Sequence, residues 1–144
     1  MLVLYGVVAM GCENPNGPSE DQTPQDVLDF FSTPFDPNNE SLTFVAAGTT
    51  EEIGGVQGID HNIFAIDWVS AANDVSMAVY REASGCSVPS SFSDNTLPPC
   101  ELIASNTSRD KPKFVEFDAD PSDTNVLTAT NNGPGDEMVR FAGN

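Results

Sequence analysis

From residue 41 onward, the apolar positions of this chain alternate with polar ones instead of recurring at helical spacing. In "DHNIFAIDWVS" (residues 60–70) Phe64, Ile66 and Trp68 fall on one face, Asn62 continues the row and Asp67 lies on the other side. "DVSMAVYRE" places Val75, Met77 and Val79 together, "KFVEFDA" sets Val115 and Phe117 against Phe114 and Glu116, and "EMVRFA" aligns Val139 with Phe141. "SLTFVAAG", "ELIAS" and "NVLTAT" complete the set. Seven or eight short strands separated by Gly, Pro, Asn and Asp predict an all-β fold, an antiparallel β-sandwich over residues 41–144. Between the last two strands, "NNGPGD" reads as a long hairpin loop.

Ahead of the strands the pattern is different. "TPQDVLDFFS" supplies Thr23 as a cap, Pro24 at the first helical position, Asp26 three residues after the cap, and Val27, Leu28, Phe30 and Phe31 at helical spacing. A short helix over 24–32 is expected, stopped by the prolines and asparagines of "TPFDPNN". Residues 13–25 contain no large apolar side chain and three prolines, so residues 12–40 read as a flexible linker that includes this helix.

The amino end carries an uncharged run, "LVLYGVVAM". As a helix it would reach only about 14 Å at about 1.5 Å per residue, short of a bilayer core of roughly 30 Å, so it does not read as a membrane span. A short apolar run ending in small residues has the form of a secretory signal. Ala9-Met10-Gly11-Cys12 resembles the lipobox of bacterial lipoproteins. The resemblance implies that residues 1–11 are a signal peptide and that Cys12 becomes the lipid-modified amino terminus. Glu13, not Asp, follows that cysteine, which by the same resemblance accompanies outer-membrane delivery. The expected location is therefore the cell envelope, outside the cytoplasm. The alternative is that "LVLYGVV" is a strand, buried in the core or donated to a surface assembly.

Composition narrows the functions further. The 144 residues suit one domain, and 39% hydrophobic content with 9 Phe argues against wholesale disorder. Against 22 acidic residues stand 5 basic ones, for a net charge of −17 and a pI near 4.1. Such a surface repels phosphate backbones and anionic headgroups, so nucleic acid is excluded as a partner. If lipid takes Cys12, Cys86 and Cys100 remain to bridge the loop "SVPSSFSDNTLPP" in an oxidising compartment; the alternative is two unrelated thiols.

Little in the sequence points to catalysis. His61 is the only histidine, and there is no Gly-x-Ser-x-Gly elbow, phosphate-cradling loop or dinucleotide fingerprint. In "DADPSDTN", Asp118, Asp120 and Asp123 form an oxygen-rich turn and are candidate calcium ligands, with Asp136 and Glu137, or Glu51 and Glu52, as further carboxylates if the fold brings them near. The competing reading of all these carboxylates is a solvated acidic surface. Trp68, Tyr80 and Phe92 are the aromatic candidates for a sugar-binding platform, with Trp68 better suited to the core.

The run "GVQGIDHNIFAIDWVSAANDVSMAVY", followed by "LIASNTSRDKPKFVEFDADPSDTNVLTATNNGPGDEMVRF", resembles the bacterial pre-peptidase C-terminal domain over about residues 53–142. That resemblance implies a secreted, non-catalytic, jelly-roll-like β-sandwich, appended in many members to exported hydrolases and binding calcium in some. The expected protein is a lipid-anchored accessory module that binds a polysaccharide, an envelope protein or calcium, and not an enzyme. The alternatives are a small envelope hydrolase using carboxylates and a structural subunit using its amino-terminal strand.

Overall fold

The computed structural model describes residues 22–35 and 42–144. The expected signal peptide 1–11, Cys12 and the first part of the spacer lie outside the described residues.

Among the described residues eight strands form: β1 (Thr43–Val45), β2 (Thr50–Gln57), β3 (His61–Trp68), β4 (Val75–Glu82), β5 (Glu101–Asn106), β6 (Lys113–Asp118), β7 (Thr124–Asn131) and β8 (Glu137–Gly143). They pair antiparallel in two four-stranded sheets, ordered β1-β8-β3-β6 and β2-β7-β4-β5. This interleaved order is that of a jelly roll, in which the chain passes from one sheet to the other at nearly every connection. Among the described strands only β4 and β5 are consecutive and paired with each other.

The alternating apolar rows face inward as their spacing predicts. Phe64, Ile66 and Trp68 of β3, Val75, Met77 and Val79 of β4, Val115 and Phe117 of β6, and Val139 of β8 are buried in one core with Val45, Ile53, Leu127 and Ala129. The eighth strand, β2, is the one the apolar pattern leaves unmarked. Its "TEEIGGVQ" carries a bulge between Glu52 and Gly54, so the two-residue period breaks in mid-strand. A Cβ at position 54 would clash with the Phe141 ring on the facing sheet, so any other residue there forces that ring to shift.

The last two strands do not form a hairpin. β7 belongs to one sheet and β8 to the other, so residues 132–136 turn a corner between them. The Asn131 side chain holds this corner: Nδ2 donates to the carbonyls of Gly135 (2.8 Å) and Val45 (3.1 Å), and Oδ1 accepts from Gly133 N–H (2.9 Å).

Helix α1 (Pro24–Asp29) starts with the predicted capping box, Thr23 and Asp26 each bonding back to the other, and runs into a 3-10 turn at Phe30–Ser32. Val27 and Phe31 pack on Ile63, Ala65 and Ala142, the outward side of the first sheet. β3 is therefore buried on both faces from Asn62 to Trp68. Arg140 ties the turn down, its Nη2 donating to the carbonyls of Phe31 (3.1 Å) and Thr33 (2.8 Å). Its guanidinium also stands 4.1 Å from the Phe35 ring centroid. Among the described residues no helix is long and apolar enough to cross a membrane.

Candidate functional site

Cys86 and Cys100 are joined by a disulfide, with Cα atoms 4.8 Å apart. Beside it, Ser87 N–H donates to Pro98 O (2.9 Å) and Cys100 N–H to Ser87 O (3.0 Å), so both ends of the β4–β5 loop are pinned at one base. From there the loop reaches across to the edge of the second sheet. Ser91 donates from its N–H (2.7 Å) and its Oγ (3.1 Å) to the carbonyl of Thr50, at the start of edge strand β2.

The loop and the two edge strands enclose a groove of ≈ 550 Å³ lined by Thr43, Phe44, Glu51, Glu52, Ser90 and Phe92. Phe44 is 56% exposed and Phe92 91% exposed, large apolar surface that folding leaves in water. Phe44 points away from the core because its neighbour Val45 is fully buried and successive strand side chains project to opposite faces. The same alternation sends Glu51 and Glu52 to opposite sides of the β2 edge. Neither carboxylate has a hydrogen-bond or ion-pair partner among the described residues.

The residues singled out in the sequence are distributed differently. Asp118, Asp120 and Asp123 lie on the end of β6 and the turn after it, and each has its own partner. Asp118 Oδ1 is 2.9 Å from His61 Nδ1, Asp120 Oδ1 accepts from the N–H (2.8 Å) and Oγ (2.7 Å) of Ser122, and Asp123 pairs with Arg81 Nε at 2.8 Å. The Ser122 bonds hold the Asp120 carboxyl below its ordinary range. No group of three or more His, Cys, Asp and Glu residues gathers as a metal-binding set among the described residues.

Asp136 and Glu137 lie at the other end of β7, about 23 Å away at about 3.3 Å per strand residue. Asp136 accepts from Ala47 N–H (3.1 Å), and Glu137 is buried. Its Oε1 accepts from Val69 N–H (3.1 Å) and Met138 N–H (2.9 Å), and its Oε2 from Ser70 N–H (3.0 Å) and Asn73 Nδ2 (2.9 Å). This carboxylate organises the strand ends and is closed to solvent.

His61 sits between two carboxylates of the neighbouring strand, Nδ1 2.9 Å from Asp118 and Nε2 2.9 Å from Glu116. The hydrogen bond to Asp118, helped by Glu116 and opposed by desolvation, raises its pKa above the ordinary histidine value. Both ring nitrogens are occupied, and β3 is separated from edge strand β1 by β8, so no serine–histidine pair forms at the groove.

Trp68 is 2% exposed and its Nε1 donates to Asn73 O (3.1 Å), so it is core and not a platform. Lys111 and Lys113, the two lysines of the chain, stand over its ring at 5.6 and 5.2 Å. Burial lowers the pKa of Lys113, and Asp74 and Asp110 partly offset this. Tyr80 is half-buried on β4, and only Phe92 of the three expected aromatics is fully presented. Phe44, which completes the groove, was marked in the sequence only by its opposite parity to Val45.

No protein-family model and no curated protein matches the chain.

Proposed function

We propose that this protein is a non-catalytic binding module held outside the cytoplasm by a lipid on Cys12, with the β1–β2 groove as its ligand site. The observation that carries the reading is the groove itself. Two exposed phenylalanines and two glutamates whose carboxylates have no partner among the described residues border a concavity whose wall is a disulfide-closed loop. Ligand sites are concave, largely apolar and set with a few polar groups, and this groove fits that description.

Its chemistry favours binding over turnover. Glu51 and Glu52 are consecutive on a strand and diverge, whereas a glycosidase needs two carboxyls converging on one bond from about 5 to 9.5 Å apart. The anchoring half of the reading is supported by Ala9-Met10-Gly11-Cys12 and by the Cys86–Cys100 disulfide, a bond typical of oxidising compartments.

Two measurements test the reading. Intact mass of the protein recovered from membranes is expected to show loss of residues 1–11 and an added acyl mass on Cys12. Unprocessed chain in a cytosolic fraction would overturn the anchor. Binding to envelope peptides and oligosaccharides is expected to fall in Phe44→Ala and Phe92→Ala, and ligands that bind equally well to both variants would remove the groove as the site.

A further inference from the structure

We propose that the groove's ligand is a cationic, extended polypeptide segment, its Lys or Arg side chains set against Glu51 and Glu52 and between the rings of Phe44 and Phe92. This rests on the reading of the groove as a binding site and names what fills it.

The lining side chains offer two acceptor-only carboxylates, the hydroxyls of Thr43 and Ser90 and two π faces, with no side-chain N–H donor among them. Ammonium and guanidinium groups are donors only, and they are attracted to both carboxylates and aromatic faces. A neutral sugar would leave the two carboxylate charges unneutralised, and an anionic glycan would meet a chain of net charge −17.

Four of the chain's five Lys and Arg residues are committed elsewhere, and the fifth, Arg109, is exposed on the loop between β5 and β6. Arg81 pairs with Glu101 and Asp123, Arg140 with Asp67, Lys113 with Asp74, and Lys111 Nζ donates to Val69 O. Glu51 and Glu52 are left for a partner to neutralise.

The two carboxylates project to opposite sides of an edge strand, so a ligand that meets both must run along the edge with charges on alternating sides. An extended polypeptide presents successive side chains in that way. Ser91 already occupies the Thr50 carbonyl, which sets one end of the free edge.

The test is calorimetric titration of the disulfide-intact protein with a short acetylated, amidated peptide in which Lys-Lys pairs alternate with Val-Val pairs, so that lysines project to both sides of the extended chain. The same peptide with Glu for Lys, and neutral cello- and xylo-oligosaccharides, are the comparison ligands. The basic peptide is expected to bind, and to lose about tenfold or more in affinity in the Glu51→Gln/Glu52→Gln protein and in the Phe44→Ala/Phe92→Ala protein. Removing two charges elsewhere, in Asp60→Asn/Glu82→Gln, is expected to change affinity by less than about twofold. Equal weakening in that control would mean general attraction to an acidic surface and would overturn the proposal. Binding of an oligosaccharide that is lost in the Phe44→Ala/Phe92→Ala protein would overturn the cationic ligand but keep the binding module. Self-association lost on Phe44→Ala would assign the groove to a second copy and overturn it too. If no probe binds and the phenylalanine variants change nothing, both readings fall.

Discussion

Arg140 and Asp67 stand opposite each other in the β3–β8 register, Nη2 3.3 Å from Oδ2, on the covered side of the first sheet. Both are buried, so the pair is an ion pair largely removed from water, and the same guanidinium holds the carbonyls of Phe31 and Thr33. Removing one partner strands the other charge. Arg140→Met is expected to cost about 3–5 kcal/mol in urea unfolding, and adding Asp67→Asn to recover part of it. An Arg140→Met protein as stable as the parent would show that the pair contributes nothing.

Glu137 provides a sharper test because all four of its partners are N–H donors. Glu137→Gln keeps the shape but turns an NH2 group against N–H groups at one oxygen position. A loss on the order of 1–3 kcal/mol or more is expected from the unsatisfied donors. Unchanged stability of the Gln variant would mean that the carboxylate is not the organiser of this corner.

The His61 clamp predicts a pH dependence with a definite sign. Hydrogen bonding to Asp118, with Glu116, raises the folded-state pKa above the unfolded value near 6.5. The stabilisation is therefore fully present below about pH 6.5 and is lost as pH rises through the raised folded value. NMR titration of the imidazole is expected to give a midpoint above about 6.5 that falls back in Asp118→Asn. A midpoint at or below the ordinary value would remove the clamp.

The disulfide couples stability to the groove. Replacing Cys86 and Cys100 by Ala opens a loop whose ends are 14 residues apart, and a loop of that size is expected to cost about 3 kcal/mol through closure entropy. Because Ser90 and Phe92 lie inside that loop, ligand affinity is expected to drop with stability. Full affinity in the double alanine protein would show that the Ser91–Thr50 contact alone holds the wall.

Much of the fold was legible in the sequence because its signals are local. Phe64, Ile66 and Trp68 declare an inward face by spacing alone, and Thr23, Pro24 and Asp26 declare a helix start. The candidate groove was less legible. β2 carries two glutamates, two glycines and a bulge, which erase the alternation that marks the other strands. Phe92 stood out as an aromatic in a polar loop, but nothing near it in sequence pairs it with Phe44 or Glu51.

The amino-acid sequence by itself determined which side chains of β3, β4, β6 and β8 turn inward, where the helix begins and that the architecture is all-β, since these follow from the two-residue period and from capping contacts a few residues apart. Only the tertiary structure decided which strands are neighbours, that β7 and β8 lie in different sheets, that Arg140 meets Asp67, and that Thr43, Glu51 and Ser90 border one groove. Those relationships join residues tens of positions apart, and their energy appears only when the sheets close on a common core and the disulfide loop is laid across the edge.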